Sequence, residues 1–324
     1  METVEAIDVR KEVLAAHKRI RPSVLETHVE HSIYFSELIN GTVHLKLDLY
    51  QTTGSFKFRG ATSKIMSLSE EELDRGIIAA STGNYALAIG QAMKNVGREA
   101  TIYLAKDVPE SRIELIATHG LNIVIYGDET WDAEKKAREV AGIEGKIYVS
   151  PYNDPAVLGG QGTCGLEIEK QVTDVDTVIF ACGAGGLLTG SGGYLKTGNP
   201  DISVIGVSPE NSPVMYESLR QGKMIEMDST PTLADTCAGG VDLDTITFPL
   251  CQKYVDEIAL VSEDEIKMGI RTLFEQHRLV SEGSGALSAA YLLKNKDKFE
   301  GKNVVLTICG RNIGIELFKS IINS

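Results

Sequence analysis

Apolar residues recur at helical spacing near the start of the chain. Val9, Val13, Ala16 and Ile20, ending before Arg21-Pro22, predict an amphipathic opening helix. The period then changes: Val43-His44-Leu45-Lys46-Leu47-Asp48-Leu49 alternates apolar with polar, which predicts a half-buried strand leading towards residue 57. Beyond residue 68, helix and strand patterns alternate. Ser69 and Glu72 form a capping box for a short helix closed near Gly76, and an apolar strand follows at 77–80. After the turn Ser81-Thr82-Gly83-Asn84 a helix starts around Tyr85. Further strands are predicted at 101–104, 123–126 and 147–149, with helices starting near Pro109 and Thr130 between them.

A second run follows Pro151, with a helix at about 161–170 and strands at 177–180, 204–207, 258–261 and 304–307; Ser262 and Glu265 cap the helix after the third of these. Short, near-continuous apolar strands alternating with helices imply parallel sheets covered on both faces. The expected fold class is therefore α/β, with two doubly wound parallel-sheet domains. No Pro/Gly/Ser-rich linker separates the two runs, so the smaller domain, 69–151, is expected as an insertion in a larger one formed by 1–68 and 152–324. The crevice between the two sheets is the expected ligand site.

Composition narrows the function classes. A formal net charge of -13 spread along the chain, with 6% aromatic residues, argues against nucleic acid or an anionic membrane surface and for a small-molecule partner. The acidic start Met1-Glu2-Thr3-Val4-Glu5 and the lack of any long apolar run predict a cytoplasmic chain. Five scattered cysteines without CxxC spacing predict neither a disulfide framework nor structural zinc.

Three stretches carry candidate chemistry. In Gln51-Thr52-Thr53-Gly54-Ser55-Phe56-Lys57-Phe58-Arg59-Gly60-Ala61, one lysine stands between two aromatic residues. A desolvated amine loses basicity and becomes a better nucleophile; the alternative is a snorkelling lysine beside a packed turn. Cys182-Gly183-Ala184-Gly185-Gly186-Leu187 follows a strand and opens a helix, which suits backbone N–H groups converging on an anion. It does not complete G-x-G-x-x-G, because Leu188 holds the sixth position from Gly183. Ser81-Thr82-Gly83-Asn84 repeats the strand–turn–helix arrangement with donors suited to a carboxylate, and Cys309-Gly310-Arg311-Asn312 closes the last strand.

Together, T-G-S-F-K-x-R-G-A, S-x-G-N, G-x-G-G-L and a terminal C-G-x-N resemble the pyridoxal-phosphate enzymes of fold type II, the tryptophan synthase β-subunit-like fold. Within them the match is to the serine/threonine dehydratase and serine racemase family. The resemblance implies that Lys57 bonds to the cofactor aldehyde and moves the substrate's α-proton, and that Gly183, Ala184, Gly185, Gly186 and Leu187 hold the cofactor phosphate. It implies also that Phe56 and Asn84 contact the cofactor, Asn84 through the ring hydroxyl, that Cys309 faces the pyridine nitrogen and that Glu282 lies near the ring. Ser81, Thr82, Gly83, Asn84 and Tyr85 would surround the substrate carboxylate, with Thr82 a second catalytic candidate. The implied activity is β-elimination from L-threonine, L-serine or a related β-hydroxy amino acid, giving a 2-oxo acid and ammonia, in a homodimer. A racemase of the same fold is the alternative; 3-hydroxyaspartate dehydration and non-catalytic ligand binding stand behind it.

This sequence departs from the family pattern at several points. Tyr85 replaces the usual histidine, and Thr82 stands where racemases carry serine and many dehydratases alanine. Ser208 and Val214 occupy positions that are acidic in metal-activated members, so no divalent cation is expected there, Glu210 between them allowing a shifted site. Arg311 replaces a glycine and raises a second-carboxylate site; the solvent-facing alternative is favoured.

Overall fold

The computed structural model describes residues 7–323 apart from 82, 107, 109 and 129. Among the described residues ten strands form two sheets. The first contains β1 (Val29–His31), β2 (Thr42–Lys46), β7 (Thr177–Ala181), β8 (Ser203–Pro209), β9 (Glu257–Val261) and β10 (Asn303–Thr307), in the order β1-β2-β10-β7-β8-β9. The second contains β3 (Ile77–Ala80), β4 (Ala100–Leu104), β5 (Asn122–Ile125) and β6 (Ile147–Tyr148), in the order β5-β4-β3-β6. All pairings are parallel except β1 with β2, an antiparallel edge whose polar composition gave no strand signal.

The strand orders place the ligand cleft. In the second sheet the chain runs outward from β3 to β4 and β5, then returns to add β6 on the other side of β3. In the first it runs from β7 to β8 and β9, then adds β10 on the other side of β7. Each reversal opens a crevice at the carboxyl ends of the strands, since the connections on its two sides leave in opposite directions. The ends of β3 and β6 lead into Ser81 and Pro151, and those of β7 and β10 into Cys182 and Cys309.

The expected helices form for the expected reasons. Val9, Val13, Ala16 and Ile20 are buried on Val9–Ile20, and both capping boxes are present, at Ser69–Glu72 and Ser262–Glu265. Helices Pro155–Gln171 and Gly186–Gly198 pack backbone against backbone, because a Cβ on Gly165 would lie 2.5 Å from the Ser191 carbonyl oxygen. The apolar cores are separate clusters, one around β2, β7, β8 and β10, the other around β3 and β4. Phe58, Ala61 and Ile65, although they precede residue 69, pack into the second. Among the described residues no helix is long and apolar enough to cross a membrane, and all five cysteines are free.

The half-buried strand at 43–49 needs correction. β2 ends at Lys46, and the supposedly solvent-facing Lys46 and Asp48 are fully buried. They are buried because they are paired. Arg59 donates to both Asp48 oxygens at 2.8 Å and, through Nη1 and Nη2, to Glu167 at 2.7 Å, while Lys46 Nζ donates to Glu167 Oε2 at 2.7 Å. Burial alone would push Asp48 and Glu167 upwards, but Arg59 outweighs it and holds both carboxyls below their usual range.

Candidate functional site

Lys57 opens helix Lys57–Ile65, and its approach is fixed by the far end of the chain. Ser55 forms a bridge with Gly310, Phe56 N–H donates to the Cys309 carbonyl at 3.0 Å, and Arg311 N–H donates to the Gly54 carbonyl at 2.9 Å. Lys57 therefore faces a cleft bounded by Phe56, Tyr152, Gly183–Leu187, Thr236, Cys237 and Cys309. Desolvation lowers the lysine's pKa, and the neighbouring thiols of Cys237 and Cys309 with Glu282 only partly oppose it. An amine in that condition has an increased neutral fraction, able to attack a carbonyl or take a proton.

The two rings beside this amine are not the pair expected. Lys57 Nζ lies 5.2 Å from the Phe56 ring centroid and 5.8 Å from that of Tyr85. Phe58 is turned away into the second core, because one residue along a helix rotates the side chain by about 100°. Tyr85 is anchored from its far end. Its hydroxyl donates to the Ser150 carbonyl at 2.8 Å, which leaves the ring and the backbone N–H, but not the hydroxyl, to act on a ligand.

The glycine-rich turn has the geometry of an anion cradle. Gly185 sits at φ 85°, in the left-handed region, immediately before helix Gly186–Gly198, so the first N–H groups of that helix point towards the cleft. A Cβ on Gly183 would lie 2.9 Å from the Cys237 backbone. The buried hydroxyl of Ser284, at the cleft, makes no hydrogen bond by distance and angle, although it lies against Cys237 and moderates the effect of burial on that thiol. A phosphate-bearing aromatic aldehyde fits this donor set: an amine for the aldehyde, helix N–H groups for the phosphate, and uncharged thiol and hydroxyl for the ring. Burial pushes the Cys309 thiol well above its ordinary range, so it carries no charge at neutral pH.

Asn84, at the start of helix Asn84–Asn95, is held from the opposite sheet. Its Nδ2 donates to Glu282 Oε1 at 2.7 Å, and its Oδ1 accepts from Asn312 Nδ2 at 2.6 Å. Glu282 also accepts from Thr236 Oγ1 at 3.2 Å and from Asn312 N–H at 2.9 Å. Ser81 and Gly83 flank this group at the end of β3, and Thr82 lies outside the described residues. Burial, with the charge of Asp235, pushes Glu282 up to about 7. A carboxyl raised in the folded state contributes stability that is full below its ordinary value of 4.5 and is lost as pH rises through about 7. The apoprotein's denaturation midpoint should therefore fall across that window, and Glu282→Gln should flatten the fall. An unchanged profile in the variant would remove Glu282 as its source.

Arg311 lies exposed with its guanidinium 5.3 Å from the Tyr50 ring, away from the cleft, as the solvent-facing reading has it. Ser208 donates to the Cys182 carbonyl, Val214 is buried, and Glu210 is 4.0 Å from Lys294. Among the described residues no cluster of three or more His, Cys, Asp or Glu could hold a metal. Sequence reasoning missed Tyr152, Thr236 and Cys237 as lining residues. Tyr152 follows β6 at a strand-order reversal, which an explicit strand order would have flagged, whereas Thr236 and Cys237 sit in the irregular turn Asp235–Cys237 with no motif.

Comparison with known proteins gives consistent relatives. The family described as pyridoxal-phosphate dependent enzyme matches residues 20–310. The L-threonine ammonia-lyase of Thermotoga maritima is 40% identical over 97% of this chain and 78% of its own length. The catabolic L-threonine dehydratase TdcB of Escherichia coli K12 is 36% identical over 96% of this chain and 94% of its own. Among solved structures, maize serine racemase superposes with a TM-score of 0.90 at 28% identity, covering 97% of both chains. Threonine deaminase isoform 2 of Solanum lycopersicum also gives 0.90, at 29% identity, covering 98% of this chain and 93% of that one.

Proposed function

The chain belongs to the pyridoxal-phosphate dependent enzyme family, and from that premise we propose that it is an ammonia-lyase acting on L-threonine, L-serine or a related β-hydroxy amino acid. The observation that carries the reading is the desolvated Lys57 amine, set at a cleft with an N–H cradle on one side and a helix N-terminus on the other.

Pyridoxal phosphate, when bound, draws off the electron pair left at Cα once the α-proton has gone. The protein's residues do the remainder. Lys57 would hold the cofactor aldehyde and, as a free amine, would take the α-proton, a positioned transfer typically worth about 10²–10⁴ in rate. Gly183, Ala184, Gly185, Gly186 and Leu187 hold the phosphate through backbone N–H groups. Phe56 keeps water from the amine, and Asn84, oriented by Glu282 and Asn312, presents its amide to the ring. The neutral Cys309 thiol would put no negative charge against the cofactor ring, which would favour expulsion of the β-hydroxyl over transamination. Ser81, Thr82, Gly83 and the backbone of Tyr85 receive the substrate carboxylate at the start of helix Asn84–Asn95.

The purified holoenzyme should release 2-oxobutyrate from L-threonine or pyruvate from L-serine, without accumulating the D-amino acid. Racemisation is the second reading, favoured by the close superposition on maize serine racemase. Chiral chromatography of residual serine separates the two, because D-serine in excess over oxo acid would replace the lyase assignment. We further place the protein in the cytoplasm as a homodimer, supported by its free cysteines and by exposed Ile315 and Leu317 on one helix and Met268 on the helix it packs against. The same preparation should sediment at twice the chain mass, and a monomer would end that assignment.

A further inference from the structure

Two acids from the first sheet's side stand near one another, and the charge of Asp235 helps to raise Glu282. The cation placed to offset them is Arg112. It lies on helix Glu110–Ala117, in the second sheet's side, and its Nη1 pairs with Asp235 Oδ2 at 3.2 Å across the gap. Arg112 also stands over the carboxylate turn: a methyl built on Gly83 would be 4.0 Å from its Nη1 and 3.7 Å from Thr236 Cγ2. One guanidinium therefore reaches both the turn and an acid one residue before Thr236 and Cys237, which line the cleft. The pair is partly exposed, at 32% for Arg112 and 48% for Asp235, so the guanidinium can exchange partners without leaving an uncompensated buried charge.

We propose that Arg112 is a substrate-binding residue that leaves Asp235 to clamp the amino acid's carboxylate against the turn at 81–85, drawing the two sides of the cleft together. The inference rests on the ammonia-lyase reading and assigns the charge selectivity of that same site. Asp235 is the internal competitor: it holds Arg112 near the turn when no substrate is present and gives way to a carboxylate. A guanidinium is suited to that role, because it can offer two parallel N–H donors to a carboxylate.

The test uses the holoenzyme with L-alanine, which has the α-carboxylate but no β-hydroxyl to lose, and with L-alaninamide, which lacks the charge. Binding is followed by the fluorescence of Trp131, the chain's single tryptophan, whose ring lies 3.7 Å from a methyl built on Gly240 across the same gap. Arg112→Gln should weaken alanine binding by about 10–100-fold, the range of a hydrogen bond to a charged group. It should leave alaninamide within about threefold, so that the preference for the carboxylate collapses. With threonine, KM should rise while kcat stays within about threefold. Arg112→Lys should recover part of the preference.

Asp235→Asn should act in the opposite direction, tightening alanine binding, because one competitor for the guanidinium is weakened. If Arg112→Gln leaves the alanine-to-alaninamide ratio unchanged, or if both variants weaken both ligands alike, the pair is only a strut and the proposal fails. If wild type turns over no β-hydroxy amino acid, it is the ammonia-lyase reading that falls. The two fluorescence titrations still decide the role of Arg112 in that case.

Discussion

Lys57→Ala is expected to abolish turnover, lowering it by at least about 10⁴-fold, because the same amine carries the cofactor and moves the α-proton. The absorbance of lysine-bonded pyridoxal phosphate should vanish with it. Stability should not suffer. Lys57 is desolvated, and burial lowers its pKa, so removing the amine removes a group whose charged form the fold disfavours. The apoprotein's Tm should therefore be unchanged or slightly higher, which separates loss of chemistry from loss of fold. A variant that kept the lysine-bonded absorbance band would show that another amine holds the cofactor and would sink the assignment.

Glu167→Ala should have the largest effect on stability. Its carboxylate is fully buried and accepts from both Arg59 and Lys46, so its loss leaves two buried cations with Asp48 as the only carboxylate left in the buried cluster among the described residues. Removing one partner from such a cluster costs about 3–5 kcal/mol, a large fraction of a typical domain's stability. Urea denaturation of the apoprotein should record that loss. Because Asp48 and Glu167 are held below the usual carboxylate range, their contribution is present above that range and is lost as pH falls through the depressed values. This acid-side dependence runs opposite to that of Glu282. The effect should reach the site as well, since Arg59 lies two residues beyond Lys57 and anchors the same helix. A midpoint within experimental error of wild type would mean that the cluster relaxes around the missing charge.

Strands were the most legible part of the sequence, because fully buried parallel strands are short apolar runs that periodicity detects; β7, β8, β9 and β10 lie where those runs predicted. The reading failed where a charge is buried by pairing. His44-Lys46-Asp48 has the alternation of a solvent face, yet Lys46 and Asp48 are interior because their partners, Arg59 and Glu167, are distant in sequence. The motifs also pointed to Lys57, the glycine-rich turn and Asn84, but not to which ring covers the amine. Helical rotation, which a residue-by-residue reading ignores, gave that place to Tyr85 rather than Phe58. Thr236 and Cys237 were illegible for another reason: a turn held by tertiary contacts has no periodic pattern of its own.

The bridge between Ser55 and Gly310 has a consequence for biosynthesis. β10 is the last of the described strands in chain order, yet it occupies the interior of the first sheet, between β2 and β7. Until β10 follows them out of the ribosome, β2 and β7 have their facing edges unpaired, and the turn that carries Lys57 has no template. Capture of the cofactor must then wait until β10 has been made and has paired. During that interval the nascent chain exposes strand edges, the surfaces on which intermolecular pairing and chaperone binding act.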